Sequence, residues 1–392
     1  MNKKVLTCII VAFVFIGSIF LGLAIGKQKE PQSIKSVNNG SIIDTDNGKE
    51  SERIDKNQKI AVQKNTIKKP WKGSIENIFF HPLISNPEVA FNGDSRSNNF
   101  DDWFVTVGEF NKILKSIYDK DYVLVNIKDI YEEYEQNGQK RMRRKELLIP
   151  EGKKPIIISV DDLSYNDGMR GGTSDKITLD SKGNIVTFTK GENGEEKISK
   201  DNEIITIIEE FIKIHPEFSL NGARPTIALT GYQGILGYST DLSSKNYESE
   251  RKEAKKVVDK LKGLGWSFAS HSYGHNNIQK MPLDKFKIDT DKWEREVASL
   301  VGQTTIYVYP HGFSLKASDP KLKYLQSKGF KIFYSVGKEP YEQILKDSCG
   351  VLADRMAVDG ITLRNRRERF MKFYDSKDII DLNLRPKRKV GF

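Results

Sequence analysis

From Ile75 onward, apolar positions follow two alternating periods. Pro155 to Val160 (PIIISV) is an unbroken apolar run, as expected of a strand covered on both sheet faces. Tyr122–Ile127, Thr226–Leu229, Ser267–Ser270, Thr305–Tyr309 and Phe330–Ser335 also read as strands, and Ile78-Phe79-Phe80 is a short apolar run before His81-Pro82. Between them lie helical patterns. Thr106-Val107-Gly108-Glu109 has the spacing of a capping box and opens a helix with Phe110, Ile113, Leu114 and Ile117 on one face. Further helices are predicted near Glu203–Ile214, Tyr247–Leu264, Asp291–Val301 and Lys321–Lys328, and Asp129–Glu135 reads as the start of another. Residues 163–202 break the rhythm and read as an insertion, with a hairpin over Ile177–Thr189 turning at Lys182-Gly183-Asn184. Repeated strand–helix units of this kind predict an α/β fold with a parallel sheet or barrel, regular as far as Ser335. Such folds gather chemistry at the C-terminal ends of their strands.

The first residues have a different pattern. Asn2-Lys3-Lys4 precedes an uncharged apolar run from Val5 to Gly26, long enough to span a bilayer core as a helix of about 20 residues. Residues 1–26 are expected to form an uncleaved N-terminal transmembrane helix. The two lysines keep the N-terminus in the cytoplasm and the rest of the chain outside, on the cell membrane. Cleavage after the small residues Ala24 or Gly26 would instead release a secreted protein. Residues 27–72 are polar without sustained apolar period and read as a solvated tether.

The formal charge is +10 over 392 residues, yet no basic stretch is interleaved with aromatics, so nucleic acid is not an expected partner. The two cysteines, Cys8 within the apolar run and Cys349 outside it, exclude a disulfide framework and a Cys-rich zinc site. Residues 364–392 contain RNRRER and RPKRK and read as a solvated basic tail, or one drawn to anionic polymer or lipid.

Four polar clusters directly follow strands: His81, the pair Asp161-Asp162, His271-Ser-Tyr-Gly-His275, and Pro310-His311-Gly312. An Asp pair alone is commonly a loop or cap, and a His-x-x-x-His pair alone often binds nothing. Together at strand ends, two imidazoles and a carboxylate make a common ligand set for a divalent ion, zinc by ligand type. His271 and His275 would share one side if the chain turns helically after His271. The second carboxylate could take a proton from water acidified by the ion.

These motifs resemble, in order and spacing, those of NodB-type polysaccharide deacetylases (carbohydrate esterase family four) over roughly residues 77–358. The resemblance implies a distorted (β/α) barrel over residues 73–363 that removes acetyl groups from an N-acetylglucosamine polymer. Asp161 would be the catalytic base, and Asp162, His271 and His275 the metal ligands. The backbone N–H of His311 would face the oxyanion, with Tyr309 and Pro310 beside the substrate. Two features depart from the family pattern. Leu163 stands where it has glycine after the Asp pair, and Val308 stands where it has arginine. Val308-Tyr309-Pro310-His311-Gly312 is closer to the corresponding run of biofilm poly-N-acetylglucosamine deacetylases, and the chain has no histidine after His311. That branch is circularly permuted, which would make His81 the acid that protonates the leaving amine. Arg355 could orient Asp161. Tyr309, Tyr273, Trp266 and Tyr232 are candidate sugar contacts, and His215 reads as a loop residue without a role. The expected protein is a monomer. Its rival readings are a non-catalytic carbohydrate binder and a metal-dependent O-acetyl esterase.

Overall fold

The computed structural model describes residues 67–191, 194–388 and 390–391. The expected membrane helix and the tether as far as residue 66 lie outside them. Among the described residues no helix is long and apolar enough to cross a membrane. The tether expected to reach residue 72 ends earlier, because Lys68–Pro70 pairs antiparallel with Leu148–Pro150.

Seven parallel strands close into a barrel in chain order: β1 (Glu76–Phe80), β2 (Lys154–Asp161), β3 (Thr226–Leu229), β4 (Ser267–Ser270), β5 (Ile306–Val308), β6 (Ile332–Val336) and β7 (Val351–Ala357). β7 returns to pair with β1 through Met356 and Ile78, closing the ring. Side chains alternate across each strand. Ile157, Ala228, Ala269, Val308, Tyr334 and Ala353 share a core inside the barrel. Ile78, Phe80, Ile158, Val160, Leu229 and Phe333 pack outward under the helices. The continuous apolar run of β2 is thus buried on both faces.

Around the barrel pack α1 (Ser97–Trp103), α2 (Val107–Asp119), α3 (Ile204–Ile214) and α4 (Tyr247–Leu264). α2 begins with the expected capping box: Thr106 and Glu109 exchange bonds of 3.2 and 2.8 Å, while Phe110, Ile113, Leu114 and Ile117 are buried. The 163–202 segment carries the expected hairpin, extended by Glu196–Ser199 to three antiparallel strands. The expected helix from Asp129 is instead a hairpin of Tyr131–Gln136 with Gln139–Arg144. Its turn residues Asn137 and Gly138 both have positive φ, 52° and 71°, and this tight-turn signal outweighs the helix-forming glutamates. The helix expected at Asp291 starts at Leu283 and passes through one π turn, Glu294–Ala298. β7 lies beyond the expected end of the regular region, because Asp354 and Arg355 interrupt its apolar pattern.

The basic C-terminus is not a solvated tail as far as it is described. Arg385 donates to both carboxylate oxygens of Glu109, at 2.7 and 2.6 Å, and to the Asp101 carboxylate at 3.1 Å. Arg364, in α5 (Gly360–Asn365), also pairs with Asp101. All four side chains are buried. The reason is charge compensation: Asp101 and Glu109 lie in the α1–α2 layer and need cations taken out of water with them. The sequence contact is distant, so composition alone could not show it.

A second buried carboxylate ties the loops above the barrel. Glu203 caps α3 by accepting from the Ile204 N–H at 2.7 Å. It also accepts from the Leu83 N–H at 3.3 Å and from the Tyr165 hydroxyl at 3.0 Å, linking the segment after His81 to the segment after Asp162. Burial pushes its carboxyl up to about 7, because its three donors recover only part of the lost hydration.

Two outcomes test this frame. Arg385→Met leaves Asp101 and Glu109 buried without their shared cation and should cost about 3–5 kcal/mol, read by denaturant unfolding. A loss under about 1 kcal/mol would refute the burial of these charges. Glu203 has a raised carboxyl in the folded state, so the native protein holds its proton after the unfolded chain has released it. Stability should fall as pH rises from about 4.5 to about 7 and level off above, by on the order of 1–3 kcal/mol. Comparison with Glu203→Gln, which lacks that contribution, isolates it; identical pH profiles would exclude it.

Candidate active site

The strand registers bring the motifs together. Phe80 pairs with Val160, which sets His81 beside Asp161, and Leu229 pairs with Ser270, which sets Thr230 beside His271. A cleft of about 690 Å3 at the C-terminal ends of the strands is lined by His81, Asp161, Asp162, His271, His275, His311 and Arg355. The site residues expected from the sequence therefore converge, with the exceptions noted below.

Asp161, the last residue of β2, points into the barrel. Arg355 holds it with a two-point fork, Nη1 to Oδ1 at 2.7 Å and Nη2 to Oδ2 at 2.8 Å, and Nη1 also reaches the Ser159 hydroxyl at 2.9 Å. Burial alone would push this carboxyl up, but the guanidinium and His271 outweigh it and hold it down at about 2. Arg355, the residue expected to orient Asp161, is thus in direct contact with it. Arg355 also packs over the Phe79 ring, 4.2 Å from its centroid.

Asp162 turns the chain with φ 58°, so the left-handed residue is the second aspartate itself and buried Leu163 follows it without needing glycine's freedom. His271 and His275 do not lie on a helix. The loop between them turns at Ser272 (φ 56°) and His275 (φ 51°). Asp289 pins it from the side, accepting from the Tyr273 and Gly274 N–H groups at 2.9 Å each. Sequence reading missed Asp289, since one acid in an amphipathic helix carries no signal of its own.

The Nδ1 of His271 donates to the Val308 carbonyl at 2.9 Å, which leaves its Nε2 with a free lone pair facing the carboxylates. Burial pushes both imidazoles down to about 4, so both are neutral and available as ligands. Burial pushes the Asp162 carboxyl up, as for a carboxylate that lacks a close cation. Ligand atoms of Asp162, His271 and His275 all lie within 4.8 Å of one another, and Asp162 Oδ2 is 3.5 Å from His275 Nε2. Donors bound to a tetrahedral ion stand about 3.4 Å apart, so this two-imidazole, one-carboxylate set fits a divalent cation such as zinc.

His81 Nδ1 donates to the Trp103 carbonyl at 3.0 Å, and its ring sits between Phe79 and Phe104. Its Nε2 is left for the cleft. His311 has φ 56° in the turn Pro310–Gly312, and its Nε2 contacts the His275 carbonyl at 3.1 Å. Asp359, a further cleft residue the sequence reading missed, caps α5 through the Thr362 N–H at 2.7 Å. Its signal was the reciprocal cap with Thr362.

The aromatic candidates divide. Tyr232 is exposed at the cleft and receives a bond from Asn166 at 3.2 Å. Trp266 and Tyr273 are core residues, bonded to Glu209 at 2.7 Å and Glu296 at 2.8 Å. Tyr309 is buried in the cleft wall, stacked against Phe333, whereas Pro310, expected beside the substrate, is buried without lining the cleft. Trp103 and Phe313, which the sequence did not single out, are the other exposed aromatics of the cleft. His215 packs against Tyr118 and Phe211, away from the cleft.

No protein-family model matches the chain, and no curated protein aligns with it. Among solved structures it is similar to a Streptococcus pyogenes deacetylase, PplD, in complex with acetate, at 14% identity and a TM-score of 0.40 over 74% of this chain and 94% of that one. It is similar to a polysaccharide deacetylase from Bacillus cereus at 14% identity and a TM-score of 0.41, covering 77% and 69% of the two chains. It is also similar to the BpsB deacetylase domain from Bordetella bronchiseptica, at 12% identity and a TM-score of 0.36 over 73% and 96%. These likenesses are remote, and the chemistry of the cleft stands on its own geometry.

Proposed function

We propose that this protein is a metal-dependent deacetylase that removes acetyl groups from an N-acetylglucosamine-containing polysaccharide outside the cytoplasm. The observation that carries the reading is one cleft in which three ligand atoms lie within 4.8 Å of one another beside a separate carboxylate held by a buried arginine.

Asp162, His271 and His275 would hold the ion, which when bound polarises the acetamide carbonyl and acidifies the attacking water. Asp161 Oδ2 accepts the proton of that water. Arg355 keeps the carboxylate ionised and fixes its direction, so it acts as a base of defined geometry. The main-chain N–H of His311 supports the negative charge that develops on the carbonyl oxygen. With Nδ1 committed to the Trp103 carbonyl, His81 delivers a proton from Nε2 to the departing nitrogen. The carbon–nitrogen bond breaks, giving acetate and a free amine on the sugar. The open cleft suits a polymer, and Trp103, Tyr232 and Phe313 offer ring faces to its sugars. The uncharged run of residues 5–26 supports the location proposed.

A non-catalytic binder is disfavoured by the Arg355 fork. Arginine absent from position 308 is present at 355, joined to Asp161, and a binder has no need of that pair. An O-acetyl esterase would use the same groups and is separated by substrate.

The full-length protein, loaded with zinc, should release acetate from N-acetylglucosamine oligomers and lose that activity on chelation. Asp161→Asn should lower kcat by about 10²–10⁴-fold while zinc stoichiometry stays the same. His275→Ala should lose the zinc as well as the turnover. Acetate released only from O-acetylated oligomers would replace the amide reading with the ester one, and release from neither would sink both.

A further inference from the structure

Below the Arg355–Asp161 pair, the barrel interior contains polar side chains that find no partner in the protein. Asn77 is 4% exposed and Tyr334 is 1% exposed. Neither the oxygen nor the nitrogen of the Asn77 amide has a hydrogen bond, and neither does the Tyr334 hydroxyl nor Arg355 Nε. Leaving such groups dry carries their desolvation penalty uncompensated. They also lie close together. Met356 of β7 pairs with Ile78 of β1, so one step back on the same ladder Arg355 stands beside Asn77. On the other flank Tyr334 pairs with Ala353, two residues before Arg355.

Asn77 and Tyr334 line a cavity of about 80 Å3 in this lower lumen. Tyr131 and Arg144 of the hairpin line it together with Glu342 and Asp354. Arg144 is paired with Glu342 at 2.9 Å, Glu342 accepts from the Tyr131 hydroxyl at 2.5 Å, and Asp354 accepts from Ser335. The charged residues of the cavity are therefore engaged, and the groups left over are a neutral amide and a neutral hydroxyl. Their chemistry, both donor and acceptor, suits water and not an ion, and the space is large enough for it.

We propose that the lower lumen is a hydration site, in which water bound by Asn77 and Tyr334 satisfies Arg355 Nε and holds the guanidinium square against Asp161. Asn77 and Tyr334 are thus positioning residues that act on the base through Arg355. Both are far enough down the barrel to touch neither the proposed ion nor the polymer. Three of the four Nη–H donors of Arg355 are committed upward, to Ser159 and Asp161. Arg355 does not itself line the cavity, and its unpartnered Nε is the donor through which the proposed water would act on the fork.

High-resolution diffraction from the full-length protein should show ordered water bonded to Asn77 and to Tyr334 or Arg355 Nε. A dry cavity, or one filled by an ion, overturns the proposal. Asn77→Leu fills the space with apolar atoms, and its crystals should show the Arg355 fork twisted off its two-point contact; an unmoved fork also overturns it. The kinetic half rests on the deacetylase reading above. Asn77→Leu should lower kcat about tenfold with KM and zinc content unchanged, and Asn77→Ser, which keeps a hydroxyl and room for water, should recover to within about twofold. Equal losses in both variants, or none in either, argue against positioning. Should the parent protein release no acetate, the functional reading fails, while the diffraction results still decide the lumen.

Discussion

The buried pair of Arg355 and Asp161 is the interaction on which the site depends. A carboxylate with 2% exposure inside a barrel would ordinarily take up a proton, and a protonated acid is no base. The guanidinium reverses that preference, and it does so from β7, on the far side of β1 in the ring. The pair therefore couples barrel closure to the ionisation state of the group that would do the chemistry. Breaking the ring at β1 would separate the strands that bring cation and anion together.

Around this pair the protein divides labour between strands and loops. Strands fix where each functional residue leaves the barrel, and loops held by buried acids fix how it points. Asp289 holds the His271–His275 loop, and Glu203 joins the segments beyond His81 and Asp162. Arg385 reinforces the layer that carries the Trp103 carbonyl by bonding the Phe104 carbonyl at 2.8 Å and the Asp101 carbonyl at 3.0 Å. In each case the acid or its partner cation is buried, so the constraint is directional and hard to exchange with water.

Much of this was legible before the structure. The capping box at Thr106, the apolar run of β2, and the strands of β3 and β4 are local patterns, and local physics decided them. His81, Asp161, Asp162, His271, His275 and His311 were singled out by strand-end position and motif resemblance, and Arg355 only as a possible partner of Asp161. What could not be read is non-local. Asp289, Glu203 and Arg385 act on residues distant in sequence, and nothing in their neighbourhoods marks them out. Trp266 and Tyr273 show the converse: aromatic residues near motifs that burial, not ligand contact, explains. The Asn137-Gly138 turn was readable and was outweighed by helix-prone neighbours; positive φ at both positions settles the competition.

The position of β1 has a consequence for how the molecule is made. The first barrel strand to be synthesised lies between β2 and the last, β7, so its second edge stays bare until β7 has been made. Closing that seam joins segments separated by most of the domain, which is a slow, entropically expensive step. A nascent chain would thus carry an open sheet edge until β7 has been made. Asp161 would meet its arginine only when β7 joins the ring, so the proposed site could not be assembled before the barrel closes.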